Sequence, residues 1–149
     1  MLLPIQTGKD NPILRKKAEK VKEITPEIRR LALDMAETME VQDGLGLAAP
    51  QVGQLLRIIV VKPNPNEKTQ ILINPEIKKF SRKKDVLVEG CLSLPGTEVP
   101  VERAVKISGQ ALDLNGQKIK IKAKGLSARV IQHEVDHLEG ILIFDKRTS

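Results

Sequence analysis

Tryptophan and tyrosine are absent from this 149-residue chain, and phenylalanine occurs only at Phe80 and Phe144. The interior must therefore be filled by aliphatic side chains, and nucleic-acid recognition by base stacking is disfavoured. Cysteine occurs once, at Cys91, which excludes an internal disulfide and points to no oxidising compartment. No apolar run approaches the length of a membrane-spanning helix. Met1 to Asp10 shows neither a signal-peptide core nor an Arg-rich transit pattern. These absences set the expectation of a cytoplasmic protein with no membrane partner.

Hydrophobic residues make up 40% and charged residues 30% of the chain, a globular balance. The length suits one catalytic-size domain over residues 1–149. The formal net charge is +6, with Lys and Arg scattered or in short clusters such as Arg15-Lys16-Lys17 and Arg82-Lys83-Lys84. A solvated surface accounts for this. The sharper reading is weak, salt-sensitive attraction to an anionic partner such as RNA.

Thr25 and Pro26 suit the cap and first position of a helix whose apolar face carries Ile28, Leu31, Ala32, Met35 and Met39, with Gly44 as its stop. A Gly/Ala-rich stretch follows, Gly44 to Gly53. Leu55 to Val61 reads as a buried strand closed by Pro63 and Pro65. Short strands are predicted at Ile71 to Ile73, ended by Asn74-Pro75, and at Val86 to Val88. Val105 to Leu112 and Ile119 to Ala123 form a hairpin turning at Asn115-Gly116. In its second arm Ile and Lys alternate, so one face is buried and one is wet. The last helix spans about Ser127 to Glu139, stopped by Gly140. Strands precede a late helix without regular βαβ alternation, so the class is α+β.

The strongest chemical signal is His133-Glu134-Val135-Asp136-His137, which holds both histidines of the chain. Four residues apart on a helix, two imidazoles share a face and can bind one metal ion. Glu134 beside them is placed to take a proton from water activated there. A third ligand is missing. Only twelve residues follow His137, none a His, and Glu139 lies on another helix face. Cys91, in Glu89-Gly90-Cys91-Leu92-Ser93, would complete a Cys-His-His set with a fourth position open, the pattern of a catalytic site. An inert buried thiol is the other reading of Cys91, and spacing alone leaves both open.

Gly44-Leu45-Gly46-Leu47-Ala48-Ala49-Pro50-Gln51 starts like a dinucleotide-binding glycine pattern, but it follows a helix and runs into proline. It reads better as a loop whose glycines admit close backbone approach, with the Gln51 amide offered to a developing oxyanion. An ordinary Gly-rich loop with an exposed Gln is the bland alternative.

Taken in order, these three segments resemble the peptide deformylase family. Its marks are Gly-x-Gly-x-Ala-Ala-x-Gln, Glu-Gly-Cys-Leu-Ser and Gln-His-Glu-x-Asp-His, met here at Gly44 to Gln51, Glu89 to Ser93 and Gln132 to His137. Asn11 to Ala18 is similar to the family's N-terminal segment. The resemblance implies an α+β fold with antiparallel and mixed strands packed around a central metal-binding helix. It implies removal of the formyl group from the N-terminal formyl-methionine of nascent polypeptides. It implies Cys91, His133 and His137 as ligands of one divalent metal, Fe²⁺ first, with Zn²⁺, Ni²⁺ or Co²⁺ also suited to such donors.

By the same resemblance Glu134 is the general acid/base, and the Gln51 side chain and Leu92 backbone N–H stabilise the oxyanion. Gly46 hydrogen-bonds the substrate backbone. Leu45, Leu126 and Val130 lie near the methionine pocket, and Glu89 with Arg103 supports the site from beneath. Many bacterial members carry a further C-terminal helix associated with ribosome docking. Here the chain stops at Ser149, so the expectation is a weak electrostatic ribosome contact and no specific nucleic-acid binding. Two alternatives remain: a thermolysin-like metallopeptidase, which shares the His-Glu-x-x-His helix but needs a third ligand after it, and a non-catalytic metal-binding or structural module, which usually closes its site with four ligands.

Overall fold

The computed structural model describes residues 1–62 and 66–148. The first helix, α1 (Pro26–Val41), starts as its sequence dictates: Thr25 is extended and its hydroxyl accepts the Ile28 N–H. Its end differs from expectation. The left-handed residue is Asp43, not Gly44, and the Gly44 N–H closes the helix onto the Met39 carbonyl.

Five strands form one sheet in the order β1-β2-β3-β6-β7, and two more form a separate pair, β4-β5. Their ranges are β1 Gly46–Ala48, β2 Ile58–Val61, β3 Gln70–Phe80, β4 Lys84–Gly90, β5 Glu98–Ala104, β6 Lys106–Leu112 and β7 Lys118–Lys124. Every ladder is antiparallel; the parallel element is a single bridge, Glu19 to Leu56. β1 corrects the loop reading of Gly44 to Gln51, because Gly46, Leu47 and Ala48 pair with Val61, Val60 and Ile59. β2 begins three residues later than predicted, and its predicted end at Pro63 and Pro65 lies outside the described residues.

β3 corrects another expectation: it runs through Asn74-Pro75. Asn74 takes a positive φ of 51° and the register to β6 shifts there, so the proline sits in a bulge, where the ladder is locally interrupted and pairing resumes at Glu76. The Asn74 side chain accepts the Val21 N–H and donates to the Val21 carbonyl, tying the bulge to the N-terminal segment. β5 has no counterpart in the sequence reading. Its Pro100 and its charged residues obscure the alternation, and pairing with β4 supplies the order. The β6-β7 hairpin forms as predicted, turning through Asp113 to Gly116.

α2 (Gly125–Leu138) runs through the middle of the molecule. One side packs Ala128, Ile131 and Leu138 against Ile59, Val61, Leu72, Ile107, Ala111 and Ile121 of the large sheet. β5 and the short helix α3 (Ile143–Lys146) meet beside it through Val101, Leu142 and Ile143. α1 covers the opposite face of the large sheet, with Met35 and Met39 against Ile58, Val60 and Ile73. Burying so many aliphatic side chains, each stabilising by about 1.5–3 kcal/mol, supplies the core that aromatics do not. No helix among the described residues is long and apolar enough to cross a membrane.

Candidate metal centre

His133 and His137 stand one turn apart on α2, their ring centroids 5.1 Å apart. Cys91 follows the last residue of β4 and opens a tight turn in which the Leu94 N–H returns to the Cys91 carbonyl. This turn carries the thiol to the helix. The ligating atoms of Cys91, His133 and His137 all lie within 4.8 Å of one another, and Cys91 Sγ is 3.4 Å from His137 Nε2. Two donors at metal–sulfur and metal–nitrogen bond lengths in tetrahedral array stand about 3.6 Å apart, so the cage has the dimensions for one divalent ion. Cys91 joins the histidines, and no ligand after the helix is needed.

The ring of His133 is aimed by its other nitrogen. Nδ1 lies 2.9 Å from Glu89 Oε1, which leaves Nε2 for the cage. Glu89 is in turn gripped by Arg103, with Nε and Nη2 at 2.6 and 2.9 Å, and by Arg129 Nη1 at 2.6 Å. Such a partner fixes the tautomer and orientation of a metal-binding imidazole. Burial opposes charge on Glu89, but hydrogen bonds from His133 and Arg103 outweigh it and hold its pKa at about 2. Burial also opposes charge on His133, yet the Glu134 carboxylate and the bonds to Cys91 and Glu89 raise its pKa to about 10. The position thus favours positive charge, which a bound cation supplies equally well. His137 is held neutral, its pKa pushed well down by burial and by the charges of His133 and Arg103.

Glu134 is 4% exposed, and burial raises its pKa to about 7 against the opposing pull of His133 and Arg103. Its Oε2 is 3.9 Å from His133 Nε2, and its Oε1 is buried without a hydrogen-bond partner among the described residues. Gly46 makes room for it: a Cβ there would sit 2.5 Å from Glu134 Oε2 and 2.7 Å from Cγ. Gln51 is buried, contrary to the exposed alternative. Its Oε1 accepts the Ala48 N–H, and its Nε2 points to Ser93 Oγ at 3.1 Å and to Cys91 Sγ at 3.6 Å.

A cleft of about 460 Å³ opens onto this cage, lined by Leu45, Gly46, Gln51, Leu92, Leu126, Val130 and Glu134 among others. The structure therefore gathers the residues singled out in the sequence, with Arg103 and His137 behind the wall. Arg129 was not singled out. It is 5% exposed and also donates to the Val101 and Asp85 carbonyls and to Asp85 Oδ1. One signal was legible: Arg129, His133 and His137 recur at four-residue steps, so the arginine shares the histidine face. Ser93 and Asp136 lie within the quoted motifs, but their roles, holding Gln51 and Arg103, were not read from the sequence.

A buried carboxylate beside an open Cys-His-His cage in an apolar cleft defines a metal-dependent hydrolase. A sequence profile of the polypeptide deformylase family matches residues 3–149. A peptide deformylase of Dictyoglomus thermophilum is 55% identical over 136 residues, covering 91% of this chain and 87% of that one. The crystal structure of peptide deformylase from Thermotoga maritima superposes with a TM-score of 0.95 at 37% identity, covering 100% and 99% of the two chains. A Met-Ala-Ser-bound class I type b peptide deformylase from Acinetobacter baumannii gives 0.92 at 36% identity, with 98% of each chain covered. The chain belongs to the polypeptide deformylase family.

Proposed function

We propose that this protein, acting as one catalytic domain over residues 1–149, hydrolyses the formyl group from N-terminal formyl-methionine of nascent polypeptides. The observation that carries the reading is Glu134: a buried carboxylate near neutral pKa, one oxygen unpartnered, at the mouth of the cage. Cys91, His133 and His137 would hold a divalent ion, which would supply Lewis acidity toward water and carbonyl oxygen. Glu134 takes the proton of the attacking water and returns it to the leaving amine. The Gln51 Nε2 and the Leu92 backbone N–H face the developing oxyanion, where preorganised donors act on charge present only near the transition state. Gly46 aligns the substrate backbone, and Leu45, Leu126 and Val130 receive the methionine side chain. Glu89 and Arg103 hold His133 in place. A formyl group is small enough to enter the cleft beside the Cys-His-His cage while the apolar wall reads the side chain. The Met-Ala-Ser held by the Acinetobacter relative supports a methionine-first peptide as ligand.

The soft thiolate with two imidazoles suits ferrous iron, and the same donors hold zinc, nickel or cobalt. The single unpaired cysteine supports a reducing, cytoplasmic setting. The net charge supports a weak, salt-sensitive contact with the ribosome. The test pairs metal analysis with a formyl-Met-peptide assay. Glu134→Gln should retain the metal and lose about 10²- to 10⁴-fold in turnover, and Cys91→Ala should lose both metal and turnover. Near-normal turnover in the first variant, or full metal occupancy with activity in the second, overturns the assignment.

A further inference from the structure

α1 covers one face of the large sheet over β1, β2 and the first half of β3. Beyond it the same face carries a different chemistry. The register places Lys106 opposite Lys124, Ser108 between Lys122 and Lys79, and Gln110 between Lys120 and Glu76. Lys118 continues the row of β7, opposite Leu112. All six lysines are exposed, and among the described residues the lysine found in an ion pair is Lys146, elsewhere. Glu76 is the acid within these rows. Most of the formal net charge of +6 is therefore gathered on one face.

Such an array is costly in isolation. Lys106 and Lys124 are directly opposed like charges, which destabilise a ladder. Along β7 the cations repeat every second residue, about 6.8 Å apart. Lysine on an outer strand also discourages edge-to-edge pairing, which suits β7 and also Lys79, because β3 pairs with β2 only through Gln70 to Ile73. Lys106 lies on β6, between β3 and β7, and edge protection does not account for it or for its position opposite Lys124; a polyanion that neutralises the array does. We propose that this face docks the phosphate backbone of RNA.

Several features favour that occupant. The rows hold no arginine fork and no aromatic ring, so they suit contact with repeating phosphates and not the reading of bases. The rows contribute no exposed apolar wedge, which a membrane-docking face requires; Leu112 is tucked into the cluster under α1. The face is turned away from α2, which packs on the opposite side, so the catalytic cleft stays open when the face is covered. The choice of RNA among polyanions rests on the proposed function, because nascent chains emerge among RNA.

The experiment titrates a fluorescent RNA oligonucleotide of mixed sequence against the metal-loaded protein across a salt series, with a formyl-Met-peptide assay alongside. If four to six lysines each neutralise a phosphate, affinity should fall about 50- to 300-fold for a fourfold rise in salt. The triple variant Lys120→Glu/Lys122→Glu/Lys124→Glu keeps an edge charged but reverses its sign. It should lose RNA binding and keep peptide turnover. Lys122→Gln alone should lower the salt slope by about 0.7, and serves if the triple variant does not fold. The control Lys16→Glu/Lys17→Glu/Lys20→Glu makes the same change of net charge elsewhere and should retain most binding. Equal losses in the two triple variants would overturn the assignment to this face. So would unchanged binding in Lys122→Gln together with the sheet triple variant, or tighter binding to DNA or phosphatidylserine vesicles than to RNA. Failure of the peptide assay in the unmodified protein would instead count against the proposed function, independently of RNA binding.

Discussion

Alanine at position 46 would set a methyl carbon 2.5 Å from Glu134 Oε2, 2.7 Å from its Cγ and 2.9 Å from its carboxyl carbon. Ordinary contacts of this kind lie near 3.5 Å or beyond, so Glu134 must retreat by about 1 Å. The backbone is not the obstacle, because Gly46 is not among the glycines with positive φ. Within the protein, the steric effect therefore falls on the carboxylate. Overpacking of this size costs about 1–3 kcal/mol of stability. Displacing a reacting group by about 1 Å costs on the order of 10²-fold in rate, equivalent to roughly 2.7 kcal/mol at the transition state. Gly46→Ala should thus fold, keep its metal and lose about 100-fold in kcat/KM toward a formyl-Met peptide. Metal content, thermal melting and steady-state kinetics measure the three quantities. A double-mutant cycle sharpens the test: Glu134→Asp withdraws the carboxylate by one methylene, so the two substitutions together should cost less than the sum of their separate effects. Activity of Gly46→Ala within about threefold of the unmodified protein, or strict additivity in the cycle, would refute the reasoning.

Arg129→Met removes one of the two guanidinium groups on Glu89 and the hydrogen bonds from α2 to Val101 of β5 and Asp85 of β4. It should weaken metal binding about 10- to 100-fold through the loosened Glu89–His133 bond, and lower the melting temperature; metal titration with an unchanged affinity would remove Arg129 from the support of the site. Glu89 also predicts an acid dependence of stability. Its pKa in the folded protein, about 2, lies below its ordinary 4.5, so the folded state binds this proton less readily than the unfolded chain. Its stabilisation is complete above the ordinary value and is lost as pH falls toward 2. Melting temperature should drop between pH about 5 and about 2, and the drop should be smaller in Glu89→Gln; parallel curves for the two proteins would show that other carboxylates set the acid limit.

The chemistry of this protein was legible in short segments because the geometry behind it is local. Two histidines four apart meet on any α-helix, whatever surrounds it. Thr25-Pro26 starts α1 and Asn115-Gly116 turns the β6-β7 hairpin through hydrogen bonds within a few residues. Everything that required distant segments to meet was decided by tertiary structure. Spacing left Cys91 open between a ligand and an inert thiol; packing of the β4 turn on α2 brings its sulfur to 3.4 Å from His137. The bulge at Asn74 stands because Val21 arrives to satisfy the amide side chain, which β propensity cannot register. β5 is a strand through its pairing with β4, and Arg129 is buried through Glu89 and Asp85, carried by other segments. The scattered lysines became a single face only when three strands aligned in register. A sequence displays its short-range geometry directly, whereas burial, charge pairing and pKa depend on which remote groups the folded chain places within a few ångströms.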